Sequence, residues 1–145
     1  MAGIARIENV GLSRAGLKCT AEVDNLTGCR VLVLEDEYFL ASDLEQELTA
    51  RGAIVVGPFA EISQAKDQVA NGGFDVAVID IDLCGEPSFS IADELIRRRI
   101  PFIFVTGYSP EVLPVRFQRA RRCEKPVYMS EVLEEVGQLC GRNGD

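Results

Sequence analysis

The chain has 145 residues, is 47% hydrophobic and 26% charged, and carries a net charge of −8. That length predicts one domain with a real core. No apolar stretch approaches the roughly 20 residues that span a bilayer, and an acidic surface argues against bulk nucleic-acid binding. The chain has no histidine, so no Ser-His or Cys-His nucleophile pair exists.

Residues 1–29 show no clear period and are punctuated by Gly3, Gly11, Gly16 and Gly28. They are expected to be an N-terminal extension, flexible or loosely docked. They lack the continuous apolar segment of a secretory signal, which places the protein in the cytoplasm. The five cysteines, Cys19, Cys29, Cys84, Cys123 and Cys140, are odd in number and widely spaced, with no CxxC. They read as reduced, mostly buried thiols, and a zinc site is not expected.

From Arg30 the chain alternates. Arg30-Val31-Leu32-Val33-Leu34 is an apolar, β-branched run of the kind buried on both faces of a sheet. It ends in Glu35-Asp36-Glu37. A helix follows from about Tyr38 to Ala50, with Leu40, Leu44 and Leu48 on one face. The second strand is Ala53 to Gly57, closed by Pro58, and a short helix covers about Ser63 to Ala70. Val76-Ala77-Val78-Ile79 is the third strand, with Asp80 at its end and Asp82 just beyond. Cys84 to Phe89 is expected to be loop, and Ser90 to cap a helix from Ile91 to about Arg98.

The fourth strand, Pro101 to Val105, runs into Thr106-Gly107-Tyr108. Pro110 and Pro114 leave room for only a short, irregular fourth helix. A fifth strand near Arg121 to Glu124 leads to Lys125-Pro126, and Ser130 is expected to cap a last helix that Gly141 stops. Residues 30–141 therefore read as one domain and 142–145 as a tail. Five βα units predict a parallel sheet with helices on both faces. The expected order is the flavodoxin-like 2-1-3-4-5, with its ligand crevice between strands 1 and 3.

That order gathers Glu35, Asp36, Asp80, Thr106 and Lys125 at one sheet edge. Clustered carboxylates repel one another when partly desolvated, and a hard cation such as Mg²⁺ relieves this. Lysine offers a point charge to phosphate, threonine a hydroxyl, and a carboxylate can itself be the nucleophile. Each group alone has a plainer explanation. The acids suit a helix N-terminus, and the basic clusters Arg97-Arg98-Arg99 and Arg116, Arg119, Arg121 and Arg122 suit a helix C-terminus or a partner-facing surface.

With these residues in this order, the chain resembles a response-regulator receiver domain of the CheY-like type over about residues 30–140. The resemblance implies that Asp80 is the phospho-acceptor, and that Glu35, Asp36, Asp80 and the backbone carbonyl of Asp82 hold Mg²⁺. Thr106 and Lys125 would contact the phosphoryl group. It further implies a bacterial two-component or phosphorelay pathway. Its partners would be a sensor histidine kinase or histidine phosphotransfer protein and an unknown downstream protein, with no nucleic acid and no membrane. The chain is then a stand-alone signalling protein or a phosphate sink, and not an enzyme on other substrates.

Phe104-Val105-Thr106-Gly107-Tyr108, with Gly85-Glu86 after the acceptor, is similar to the "FAT GUY" receivers. Arg122 stands where receivers usually carry an aromatic switch residue, which makes Tyr108 the switch candidate. Two other readings stay open. One is a pseudo-receiver that only binds. The other is a haloacid-dehalogenase-like phosphatase, to whose DxDx(T/V) motif Asp80-Ile81-Asp82-Leu83-Cys84 is similar.

Overall fold

The computed structural model describes residues 25–144 of the chain. Expectations for residues 1–24 lie outside the described residues. Residues 25–29 are tied to the domain. The Leu26 amide donates to the Arg51 carbonyl at 2.9 Å, and Leu26 and Cys29 are buried.

Seven strands and four helices follow in order: β1 Arg30–Leu34, α1 Tyr38–Ala50, β2 Ile54–Phe59, α2 Ile62–Asn71, β3 Val76–Asp80, β4 Asp82–Leu83, β5 Glu86–Pro87, α3 Phe89–Arg97, β6 Phe102–Thr106, β7 Arg122–Glu124 and α4 Met129–Gly144. The main sheet has five parallel strands in the order β2-β1-β3-β6-β7, the predicted α/β arrangement.

Strand side chains alternate between two cores, as the period of two requires. Val31, Val33, Val76 and Val78 meet Leu44, Leu48, Val132, Leu133 and Val136 from α1 and α4. Leu32, Leu34, Ala77 and Ile79 meet Val69, Ile91 and Leu95 from α2 and α3. The predicted irregular fourth helix is two 3₁₀ turns, Pro110–Val112 and Val115–Phe117. Phe117, fully buried, anchors them by stacking on Phe89 at 5.3 Å and packing edge-on to Phe104 at 5.5 Å.

Several expectations are corrected. The second strand does not close at Pro58. It continues to Phe59 through a register shift against β1. Gly57, at φ +102°, allows this, because a Cβ there would lie 2.9 Å from the Val33 carbonyl. Cys84 to Phe89 is not plain loop. Cys84 and Gly85, both at positive φ, make a two-residue turn that pairs β4 with β5.

Ser90 does not cap α3. The helix begins at Phe89, so Ser90 lies inside it, and the preceding Ser88 turns its hydroxyl to the Asp80 carbonyl. Ser130 likewise lies within the first turn of α4, which starts at Met129 and runs through Gly141 to Gly144. The cysteines are not all reduced: Cys29 and Cys140 form a disulfide, with Cα atoms 6.3 Å apart. Cys29 directly precedes β1 and Cys140 lies late in α4. The packing of α4 on β3, β6 and α1 brings the two ends of the domain together. Cys123 is a buried free thiol, as expected, and Cys84 an exposed one. No described helix is long and apolar enough to cross a membrane.

Candidate functional site

Parallel strands all end on the same edge, and that edge carries the site. Glu35 follows β1. Its amide donates to the Phe59 carbonyl at 2.9 Å, so the register shift in β2 fixes its backbone. The side chain is 1% exposed. Its Oε2 accepts the Glu37 amide at 3.1 Å, while Oε1 is buried with no hydrogen-bond partner. Burial first, and then the neighbouring Asp80 carboxylate, push the Glu35 carboxyl up to about 8.

Asp80, the last residue of β3, is 5% exposed. Its Oδ1 accepts the Asp82 amide at 3.1 Å and its Oδ2 accepts from Lys125 Nζ at 3.0 Å. Asp36 is exposed, and its Oδ2 accepts the Cys84 amide at 2.8 Å. Carboxylate oxygens of Glu35, Asp36 and Asp80 all lie within 4.8 Å of one another. Three converging oxygen donors, one of them orphaned in a buried place, suit a hard divalent cation such as Mg²⁺.

Lys125 reaches this cluster from the loop after β7. Its Nζ lies 3.5 Å from Glu37 Oε1 and 3.7 Å from Glu35 Oε2, besides its bond to Asp80. Burial pulls its ammonium down, but the hydrogen bond to Asp80 and the three carboxylates outweigh this and hold it above the ordinary lysine value. Thr106 at the end of β6 is fully buried. Its Oγ1 accepts the Tyr108 amide at 2.8 Å, and its carbonyl accepts the Lys125 amide at 2.8 Å. The Thr106 backbone thus holds the lysine while its side chain holds the following loop.

All the site residues singled out in the sequence lie at this edge. The Tyr108 ring is 46% exposed and lines a cavity of about 320 Å³ with Ile81, Phe89 and Leu113. Arg122, on β7 opposite Phe104, donates to the Gln118 carbonyl at 3.3 Å.

Sequence reasoning missed Glu37 as a contact of Lys125, and it missed Ser88. Ser88 is fully buried and its Oγ donates to the Asp80 carbonyl at 2.7 Å. Only the recognition of Cys84-Gly85 as a tight turn would have brought Ser88 back under the strand end.

No family model matches the chain, and no curated protein matches its sequence. Solved structures do. The chain is similar to the response regulator PhyR from Brucella abortus, with 24% identity and a TM-score of 0.75 over 88% of this chain and 54% of that one. It thus spans about half of the PhyR chain. It is similar to SdrG from Sphingomonas melonis Fr1, with 34% identity and a TM-score of 0.68 over 77% of this chain and 96% of that one. The receiver domain of HemR from Leptospira biflexa matches at 25% identity and a TM-score of 0.67, over 77% and 94%.

Proposed function

The chain belongs to the response-regulator receiver family, and from that premise we propose that Asp80 accepts a phosphoryl group from a phosphohistidine. The donor is a sensor histidine kinase or a histidine phosphotransfer protein. What supports this reading most is Lys125 Nζ held 3.0 Å from Asp80 Oδ2, beside the Glu35–Asp36–Asp80 oxygen cluster.

An Asp80 carboxylate oxygen attacks phosphorus. The new O–P bond forms as the P–N bond breaks, and the electron pair returns to the donor's imidazole nitrogen. The Asp82 amide orients the attacking carboxylate through Oδ1. The Lys125 ammonium, already beside Oδ2, meets the charge of the arriving phosphoryl oxygens. Glu35, Asp36, Asp80 and the Asp82 carbonyl would hold Mg²⁺, which when bound neutralises phosphoryl charge.

The Thr106 hydroxyl proton is directed to a phosphoryl oxygen. Because Thr106 Oγ1 also holds the Tyr108 amide, this pull is transmitted to the Tyr108 loop and to the 3₁₀ turns after it. Signalling then proceeds by protein contact in the cytoplasm. The Phe104–Tyr108 segment favours the "FAT GUY" group, with Tyr108 as the switch residue.

The test is incubation of the full chain with Mg²⁺ and acetyl phosphate, followed by intact mass. Wild type gains one phosphoryl group and Asp80→Asn gains none. No gain in wild type defeats the proposal and leaves a binding-only receiver. Multiple-turnover phosphate release from phosphomonoesters would instead favour the phosphatase.

A further inference from the structure

At the opposite edge of the sheet, where β6 and β7 begin, lies an open groove of about 590 Å³. Its floor is apolar: Ile100, Phe102 and Leu139, with Ile96 half-exposed at the mouth. Its charged rim is entirely basic, formed by Arg99, Arg116, Arg119 and Arg121, and no carboxylate lines it. Arg116 is paired with Asp93 at 2.9 Å, and Arg121 with Glu135 at 2.5 Å. Arg99 and Arg119 are exposed and have no ion-pair partner among the described residues. On a chain of net charge −8, this is a local reversal of sign around an apolar floor.

We propose that this groove docks an acidic segment of a partner polypeptide that carries an apolar anchor side chain. The anchor covers the floor, and the flanking carboxylates pair with Arg99 and Arg119. Apolar burial supplies affinity, while the guanidinium groups supply selectivity and orientation. A nucleic acid fits less well. It offers no aliphatic anchor, it demands a longer track of free cations, and the acidic remainder of the chain repels it. The inference stands apart from the phosphoryl-transfer reading, since the groove lies at the far ends of the strands.

The test titrates the ¹⁵N-labelled full chain with two peptides of equal length. One carries Asp and Glu around a Leu-Phe pair, and the other has every Asp and Glu replaced by Asn and Gln. A single-stranded oligonucleotide is the third probe. The acidic peptide is expected to shift the amides of residues 96–102 and 116–121. The neutral one binds about tenfold more weakly, and added salt narrows that gap.

In the variant pair Arg99→Asn and Arg119→Gln, affinity for the acidic peptide falls about tenfold. Asn tolerates the positive φ of Arg99, which preserves the fold, and phosphorylation from acetyl phosphate serves as the control. Ile96→Ser weakens both peptides without touching charge. Unmoved amides, equal binding of the neutral peptide, an unaffected double variant, or tighter binding of the oligonucleotide would each overturn the proposal.

Discussion

The Tyr108 amide donates to Thr106 Oγ1 at 2.8 Å, while the Tyr108 ring stands half-exposed beside an apolar cavity. The Thr106 hydroxyl thus holds the loop through a lone pair, and on the proposed reading its proton serves the phosphoryl group. Thr106→Val keeps the shape and removes both functions. We expect it to slow Asp80 phosphorylation about tenfold to a hundredfold and to uncouple the loop. Tyr108→Ala should leave phosphorylation intact while blunting the amide shifts of residues 108–117. Loss of Mg²⁺ binding in Tyr108→Ala would contradict this division of roles.

Glu35 is the costly member of the acidic cluster. Its Oε1 is buried and unpartnered, and Asp80 lies beside it. In Mg²⁺-free buffer at neutral pH, Glu35→Gln removes the cost of keeping this buried carboxyl protonated and should stabilise the chain by roughly 1 kcal/mol or more. With Mg²⁺ present the order should reverse, because only wild type gains the full binding energy. Urea unfolding with and without Mg²⁺ decides it. A variant that stays ahead in both buffers would exclude Glu35 as a ligand.

Ser88 lies eight residues beyond Asp80, yet its hydroxyl donates to the Asp80 carbonyl. Ser88→Ala removes a donor from a fully buried place, a loss of about 1–3 kcal/mol. It should also slow phosphorylation several-fold while leaving Mg²⁺ affinity close to wild type. A stability loss with an unchanged phosphorylation rate would make Ser88 merely structural.

The buried Cys123 thiol gives a second pH signature. Burial first, then Glu131 and Glu135, push it from 9.0 up to about 12. As pH rises the unfolded chain loses this proton first. The thiol's contribution is therefore intact below pH 9 and is lost as pH climbs toward 12. Cys123→Ala is destabilised at neutral pH by the cavity it leaves. The stability gap between wild type and variant should then narrow above pH 9. A constant gap across that range would show that the thiol does not titrate with folding.

The sheet and its edge were legible because the signals were redundant. Val31 to Leu34 and Val76 to Ile79 read as buried strands, and the order of five such units alone places Glu35, Asp80, Thr106 and Lys125 together. What escaped depended on geometry that no local pattern carries. Ser88 reaches Asp80 only because Cys84-Gly85 turns the chain back on itself. Ser90 and Ser130 had the right chemistry for caps but sit one residue inside their helices. Gly141 failed to stop α4, since a glycine costs a helix only about 1 kcal/mol and the helix carried on through it. Cys29 and Cys140 gave no sign of pairing, because packing and not spacing brings them together.

That pair yields the last prediction. The disulfide joins residues 111 apart, a loop whose closure is worth about 4–5 kcal/mol in the chain-entropy account. Dithiothreitol should lower the melting temperature of the purified chain, and Cys29→Ala should reproduce the effect without reductant. The proposed phosphorylation of Asp80 should be unaffected in both, since Cys29 precedes β1 while Asp80 lies at the other end of the sheet. A reducing cytoplasm opens such bonds. For chain expressed in a reducing cytoplasm, alkylation during cell lysis, read by mass, should find Cys29 and Cys140 as thiols that oxidise after purification. Recovery of the intact disulfide from reducing cells would show instead that the fold shields it from cellular reductants.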